Sequence, residues 1–375
     1  GAEADKAWYN AGLNYRKAGD SSRAIAAFTR VYQDYPKTSQ APDAQLAVIE
    51  IYDSQMKLEQ VASESVKFLQ SYPQDRRAAV VRREACLVYV ARNDVGGAQR
   101  TCGAIVKSGG SDVAVAAQGL AQVYRRTNRH ADLIAITDTH LIKLPVSSSE
   151  KIVYLAHAAE AERKLGRGTK AAGRDNQIMG FYSRERGKVS GEALAFVGKI
   201  EYDKHKEVLQ KYQSTRLVAR KQDGSDLQAS ITTKQSVLQN LEKAYQKVIA
   251  TGDAEWGVAA MVTIGGAWEI FANDLRNAPM PPGVPAEQVK PIKDQIAALA
   301  AKPSEKALEY YKQAAAAVAK FGVYNEFSKR NAAALARLDP KNYREVQEWI
   351  PDTVYVSSSW SQSGATSRAM KVLGD

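Results

Sequence analysis

Four tyrosines, Tyr15, Tyr52, Tyr89 and Tyr124, recur at intervals of 37, 37 and 35 residues, and each is followed 21 residues later by a breaker: Pro36, Pro73, Gly110 or Pro145. Self-similarity at such a period is the mark of a stacked repeat, because a unit this short cannot bury its apolar face alone and must lay it against the next copy. In the first unit Trp8, Gly12 and Tyr15 form one set, Ala24 and Phe28 a second, and Pro36 follows. Steps of three and four residues put each set on one face of a helix. Gly19 and Asp20 separate the sets, and Pro36 ends the second because proline has no amide to donate. The unit therefore reads as a helical hairpin in which Gly12 lets the second helix come close.

The spacing of Trp8, Gly12, Tyr15, Ala24, Phe28 and Pro36 resembles the tetratricopeptide repeat (TPR). That resemblance implies an all-α fold, a right-handed TPR superhelix or α-solenoid, whose concave face is lined by the first helix of each pair. In the same register the second unit (39–73) uses Leu46, Ile49 and Tyr52, then Val61, Val66 and Leu69. The third (76–110) places Cys86 at the Gly12 position, Ala98 at the Ala24 position and Cys102 at the Phe28 position. The fourth (111–145) keeps Leu120, Ala121 and Tyr124 but has Leu133 and Thr137 where Ala and Phe are expected. A fifth, degenerate pair (147–186) opens on a capping box with Ser147 at the N-cap and Glu150 three residues on.

Residues 5–186 are thus expected to hold four recognisable repeats and one degenerate repeat, and 190–339 divergent hairpins. A helix of about 25 residues is expected from Glu192 to Ser214, a polar loop from Lys221 to Ser230, and a second-type helix over 231–250. Trp256, Met261, Ile264, Gly265 and Trp268 reopen the pattern, and their partner set appears only at Ala307, Tyr311 and Ala314. The proline-rich stretch 273–302 between them reads as an insertion that splits one repeat and forms a surface loop. Residues 323–338 read as a terminal capping helix, and 340–375 as a non-helical tail. Within the tail, Thr353 to Ser367 is either a flexible end or an extended segment that docks through Tyr355 and Trp360.

The chain of 375 residues is 45% hydrophobic and 25% charged, which excludes wholesale disorder. No run of 18 apolar residues is present, and Gly1 leads directly to Glu3, Asp5 and Lys6, so neither a membrane span nor an export leader is expected. The net charge of +11 is concentrated: residues 76–221 carry 27 basic and 14 acidic side chains, whereas 1–75 carry 8 and 10 and 222–375 carry 17 and 17. A polyanion-binding module based on 76–221 is therefore an alternative to a solvated helical face. Specific nucleic-acid binding is disfavoured, since no finger, basic-zipper or ribonucleoprotein motif accompanies the charge.

Catalytic signals are weak. Ser54 with Lys57 and Ser148 with Lys151 match a minimal Ser/Lys spacing without its companion motifs, and Gly168 to Gly173 is half of a phosphate loop. His130, His140, His157 and His205 have no partner at metal-ligand spacing, so neither metal nor cofactor is expected. Cys86 and Cys102 face each other across the third hairpin: a Cα separation near about 5.5 Å would allow a disulfide, and two buried thiols are the alternative.

The stretches 244–257, Ile264-Gly265, 278–283 and 322–326 carry a narrower likeness. Over roughly 240–345 the chain resembles the carboxy-terminal part of large cell-envelope TPR proteins of gliding and predatory proteobacteria, including the TPR component of the myxobacterial adventurous gliding complex. The resemblance implies a non-enzymatic, periplasm-facing scaffold in an envelope assembly. Its partner would be a protein or extended peptide held on exposed polar positions of the first helices: Asn10, Asn14 and Arg16, then Arg82, Arg83 and Arg125.

Overall fold

In a computed structural model that describes residues 3–344, the four repeating tyrosines take up equivalent places. The amides of Asp20, Lys57, Asp94 and Arg129 donate to the carbonyls of Tyr15, Tyr52, Tyr89 and Tyr124 respectively. Each turn is closed by a residue in the left-handed region four positions after the tyrosine: Gly19 (φ 76°), Met56 (59°), Asn93 (55°) and Asn128 (56°). This is how a helix end satisfies its last carbonyls while reversing direction, and glycine and asparagine enter that region most cheaply. The same turn recurs once more, where Arg167 donates to Glu162 and Gly166 has φ 72°. Glu162 therefore holds the tyrosine place of the fifth hairpin.

These turns join helices α1 (Ala4–Lys17) and α2 (Ser21–Asp34), α3 (Gln40–Ser54) and α4 (Leu58–Ser71), α5 (Ala78–Ala91) and α6 (Val95–Ser108), and α7 (Val113–Arg126) and α8 (His130–Thr139). The fifth pair is α9 (Ser148–Lys164) and α10 (Gly168–Arg184). Each helix packs on its hairpin partner and on the start of the next hairpin, α1 on α2, α2 on α3 and onward to α7 on α8. Residues 3–146 and 157–174 form one compact unit, a TPR-type α-solenoid, so its boundary with the second unit runs through α9 and α10. At Gly12 the reason for glycine is direct: a Cβ there would lie 2.6 Å from the Phe28 ring, itself fully buried. The Ser147 hydroxyl and the Glu150 carboxylate exchange hydrogen bonds with each other's amides at the start of α9, as the capping box requires.

Packing departs from the sequence expectation in the second hairpin. Val66, Leu69, Leu46, Ile49 and Tyr52 are only half-buried, whereas Ala44, Val48 and Ile51 on α3 and Val61, Ser65 and Phe68 on α4 are buried. Ser65 stands where Phe28 stands in the first hairpin, and Phe68, one turn on, supplies the missing bulk. In the fourth hairpin the departure is in length: α8 has ten residues and Thr137 turns its hydroxyl back onto the Leu133 carbonyl at 2.7 Å.

The second unit comprises 147–156 and, among described residues, 175–344. Its helices are α11 (Glu192–Lys204), α12 (Lys206–Ser214), α13 (Ser225–Ile249), α14 (Ala254–Arg276), α15 (Ala286–Ala298), α16 (Ala301–Phe321) and α17 (Glu326–Leu338). The long helix expected over 192–214 is broken at His205, and the break lets Tyr212 bury fully and donate to the Ala267 carbonyl at 2.6 Å. The loop expected over 221–230 ends early, because α13 begins at Ser225. Asp226 accepts from the Arg220 and Lys221 amides, while Leu227 and Ile231 are already buried. The stretch 273–302 is not a single loop: α14 runs through Arg276, α15 occupies 286–298, and only 277–285 and the two-residue turn 299–300 are non-helical. α14 and α16 pack together across it, with a Gly265 Cβ position 3.1 Å from the Tyr311 ring, as Gly12 meets Phe28. The expected tail, with Tyr355 and Trp360, lies outside the described residues apart from 340–344.

The break at His205 carries a pH dependence. Its ring is buried, with Nε2 3.0 Å from Glu201 Oε1, and Lys204 and Lys247 also act on it. Burial is the largest influence and lowers its pKa below 6.5, outweighing Glu201. The unfolded chain therefore binds this proton more readily, so stability is full above 6.5 and falls as pH drops towards the lowered folded value. Urea midpoints measured between about pH 7 and pH 5 should fall in the wild type, and the fall should shrink in His205→Gln.

Candidate interaction surface

The six side chains expected to meet a partner all lie on first helices of the repeats, α1, α5 and α7. On α1, Asn10 and Asn14 are exposed and four residues apart, so both amides stand on one face. Arg16 is exposed too, but its Nη1 donates to Glu50 Oε2 on α3 at 2.9 Å. The same device continues along the unit. Arg77 joins Asp43 on α3 to Asp75, and Arg83 on α5 reaches Asp112, the N-cap of α7, at 3.8 Å. Arg125 on α7 donates to His157 Nε2 on α9 at 2.6 Å, which requires that nitrogen to be unprotonated. Arg82 is half-buried on α5. Of the six residues expected to meet a partner, Arg16, Arg83 and Arg125 thus bridge successive first helices, and Asn10 and Asn14 stand out from α1.

Electrostatics follow from these contacts. Hydrogen bonds from Arg77 hold the Asp75 carboxyl down at about 2, and Asp75 in turn raises the Arg77 guanidinium. Exposed bridges such as Arg16–Glu50 contribute about 0–1 kcal/mol each and can be exchanged for a partner's carboxylate at little cost. The basic surplus of 76–221 is less free than its charge count suggests. Arg77, Arg83, Arg129, Arg167 and Arg174 all have carboxylate partners, Arg174 through two bonds of 2.8 and 2.9 Å to Asp138.

Cys86 and Cys102 are both fully buried, and their sulfurs lie 2.17 Å apart as a disulfide with a Cα separation of 4.9 Å. The Ser54 hydroxyl donates to the Ile51 carbonyl of its own helix at 2.7 Å and is not held by Lys57. Among the described residues no group of three or more His, Cys, Asp or Glu side chains is arranged to hold a metal ion, and no helix is long and apolar enough to cross a membrane.

Two features escaped the sequence reading. One is the buried carboxylate of Glu162 with Arg174 3.4 Å away, whose signal was an acid at the fifth tyrosine place. The other is a cleft of about 460 Å³ between the start of α13, the 277–285 segment and α15, lined in part by Leu227, Ile231, Pro281, Ile292 and Ile296.

Residues 2–99 match the family model described as YfiO, outer membrane lipoprotein. Among solved structures, a tetratricopeptide repeat protein from Parabacteroides merdae is similar at 7% identity, over 80% of this chain and 99% of that one, with a TM-score of 0.33. None of the curated proteins matches the sequence.

Proposed function

We propose that this chain is a non-enzymatic scaffold of a bacterial cell-envelope assembly, which holds a protein or extended peptide on the first-helix face of its repeats. The observation that carries the reading is the repeated face itself. Successive hairpins present their first helices in one register, joined by exchangeable arginine bridges and opening on the exposed amides of Asn10 and Asn14. Asparagine amides can hold a partner's backbone, and Arg16, Arg82, Arg83 and Arg125 can take its carboxylates.

Two observations support the envelope as the setting. The family model matching 2–99 describes an outer membrane lipoprotein, and a Cys86–Cys102 bond suits an oxidising compartment such as the periplasm. Membership of a gliding-motility complex, implied by the resemblance over 240–345, is the narrower form of the same proposal.

The test is capture from the native envelope with tagged full-length protein, followed by mass spectrometry. Asn10→Ala with Asn14→Ala should leave the melting temperature unchanged and deplete at least one captured protein about tenfold, the loss expected from two hydrogen-bonding groups. An unchanged set of captured proteins would remove α1 from the binding face.

A further inference from the structure

The turn between α16 and α17 shows the two most exposed large apolar side chains described, Phe321 at 57% and Tyr324 at 89%. They flank a backbone that is fixed. Gly322 has φ 67°, and the amides of Gly322 and Val323 both donate to the Val318 carbonyl, at 2.9 and 3.3 Å. Val323 between them is buried, and Asn325 caps α17 through reciprocal bonds with Ser328 while its amide reaches Glu255 at 3.2 Å. The exposure of the two rings is therefore built into a hydrogen-bonded turn, and binding through them would cost little ordering entropy.

The charge around the rings has one sign in excess. Residues 320–330 contain Lys320, Lys329 and Arg330 against Glu326, which is paired with Arg330 at 3.5 Å, and Glu255 meets the turn through the Asn325 amide. The Lys320 ammonium stands 5.0 Å from the centre of the Phe321 ring, so cation and apolar surface occupy one spot. An anionic bilayer offers the matching pair of properties in one layer, negative headgroups above a hydrocarbon boundary where phenylalanine and tyrosine partition favourably. It also needs no pocket cut to the shape of two projecting rings.

We propose that the α16–α17 turn is a contact site for an anionic lipid surface, with Phe321 and Tyr324 entering the interface and Lys320 binding headgroups. The proposal rests on the local geometry of this turn and not on the partner-binding reading of the first helices.

The experiment is co-sedimentation of the full chain, at low ionic strength, with vesicles of phosphatidylglycerol and phosphatidylcholine in equal parts, and with phosphatidylcholine alone. Binding is expected to the anionic vesicles only. Phe321→Ser with Tyr324→Ser keeps every charge and should lower the partition coefficient at least about tenfold, and Lys320→Glu at least about fivefold. Circular dichroism and melting of each variant check that the hairpin is intact. Tyr324→Asp, at a site open to solvent, gives the same readout without disturbing packing. Wild-type protein that ignores anionic vesicles would overturn the proposal. So would a folded double serine variant that binds them as the wild type does, because the attraction would then belong to the general positive charge.

Discussion

Replacing Arg174 by alanine should destabilise the first unit by about 3–5 kcal/mol, the range for leaving one member of a buried ion pair uncompensated. Arg174 is 12% exposed, its carboxylate partner Glu162 only 2%, and Glu162 Oε2 has no hydrogen bond of its own. Arg167 comes no nearer than 3.6 Å and is half in solvent, so it cannot take over. The half-exposed Asp138, which also pairs with Arg174, loses little, and this argues for the lower end of the range. Glu162→Tyr with Arg174→Met restores the side chain that four other hairpins carry at this place and removes both charges together. That double variant should lie within about 1.5 kcal/mol of the wild type, since apolar replacements of buried pairs are often neutral or stabilising. Urea denaturation of the three proteins decides it. A single variant that loses less than about 1 kcal/mol would mean that the Glu162 carboxylate is solvated in the fold.

The difference between Glu162 and the four tyrosines also marks how far the sequence could be read. The hairpins were legible because Tyr15, Tyr52, Tyr89 and Tyr124 each end a first helix at the same step before a reversal, a backbone requirement that repeats whatever the side chains do. The fifth place follows 38 residues after Tyr124 but carries an acid, and its compensating Arg174 sits on the next helix, where no spacing rule points to it. The second hairpin departs from its spacing for a related reason: Ser65 and Phe68 divide between two turns the volume that Phe28 supplies alone, whereas the repeat pattern points to Val66 and Leu69.

The candidate surface was legible in half. Helical spacing puts Asn10, Asn14 and Arg16 outside the core, but it is silent on partners drawn from the next repeat. Glu50 and Asp112 lie 34 and 29 residues from the arginines that reach them. In 273–302 five prolines outweigh a short amphipathic run. α15 was missed because it buries no residue fully and so leaves only a faint apolar stripe at Val289, Ile292 and Ile296.

Reducing the Cys86–Cys102 bond should cost about 3 kcal/mol, the loop-closure value for a link across some 16 residues. The two sulfurs stand where Gly12 and the Phe28 ring meet in the first hairpin, so at this place in the third hairpin a covalent bond replaces ring packing. The guanidinium midpoint of the first unit should therefore fall when a thiol reductant is present, and melting should follow it. Cys86→Ala with Cys102→Ala should lose as much as reduction does and should no longer respond to the reductant. Cys86→Gly with Cys102→Phe rebuilds the packing of the first hairpin and should recover part of the loss, because it fills the space that the alanines leave. A reductant-insensitive midpoint in the wild type, or two alkylated thiols in protein taken from the native envelope without reductant, would show that the third hairpin is held by buried thiols instead. The periplasmic setting would then lose its support from chemistry within the chain.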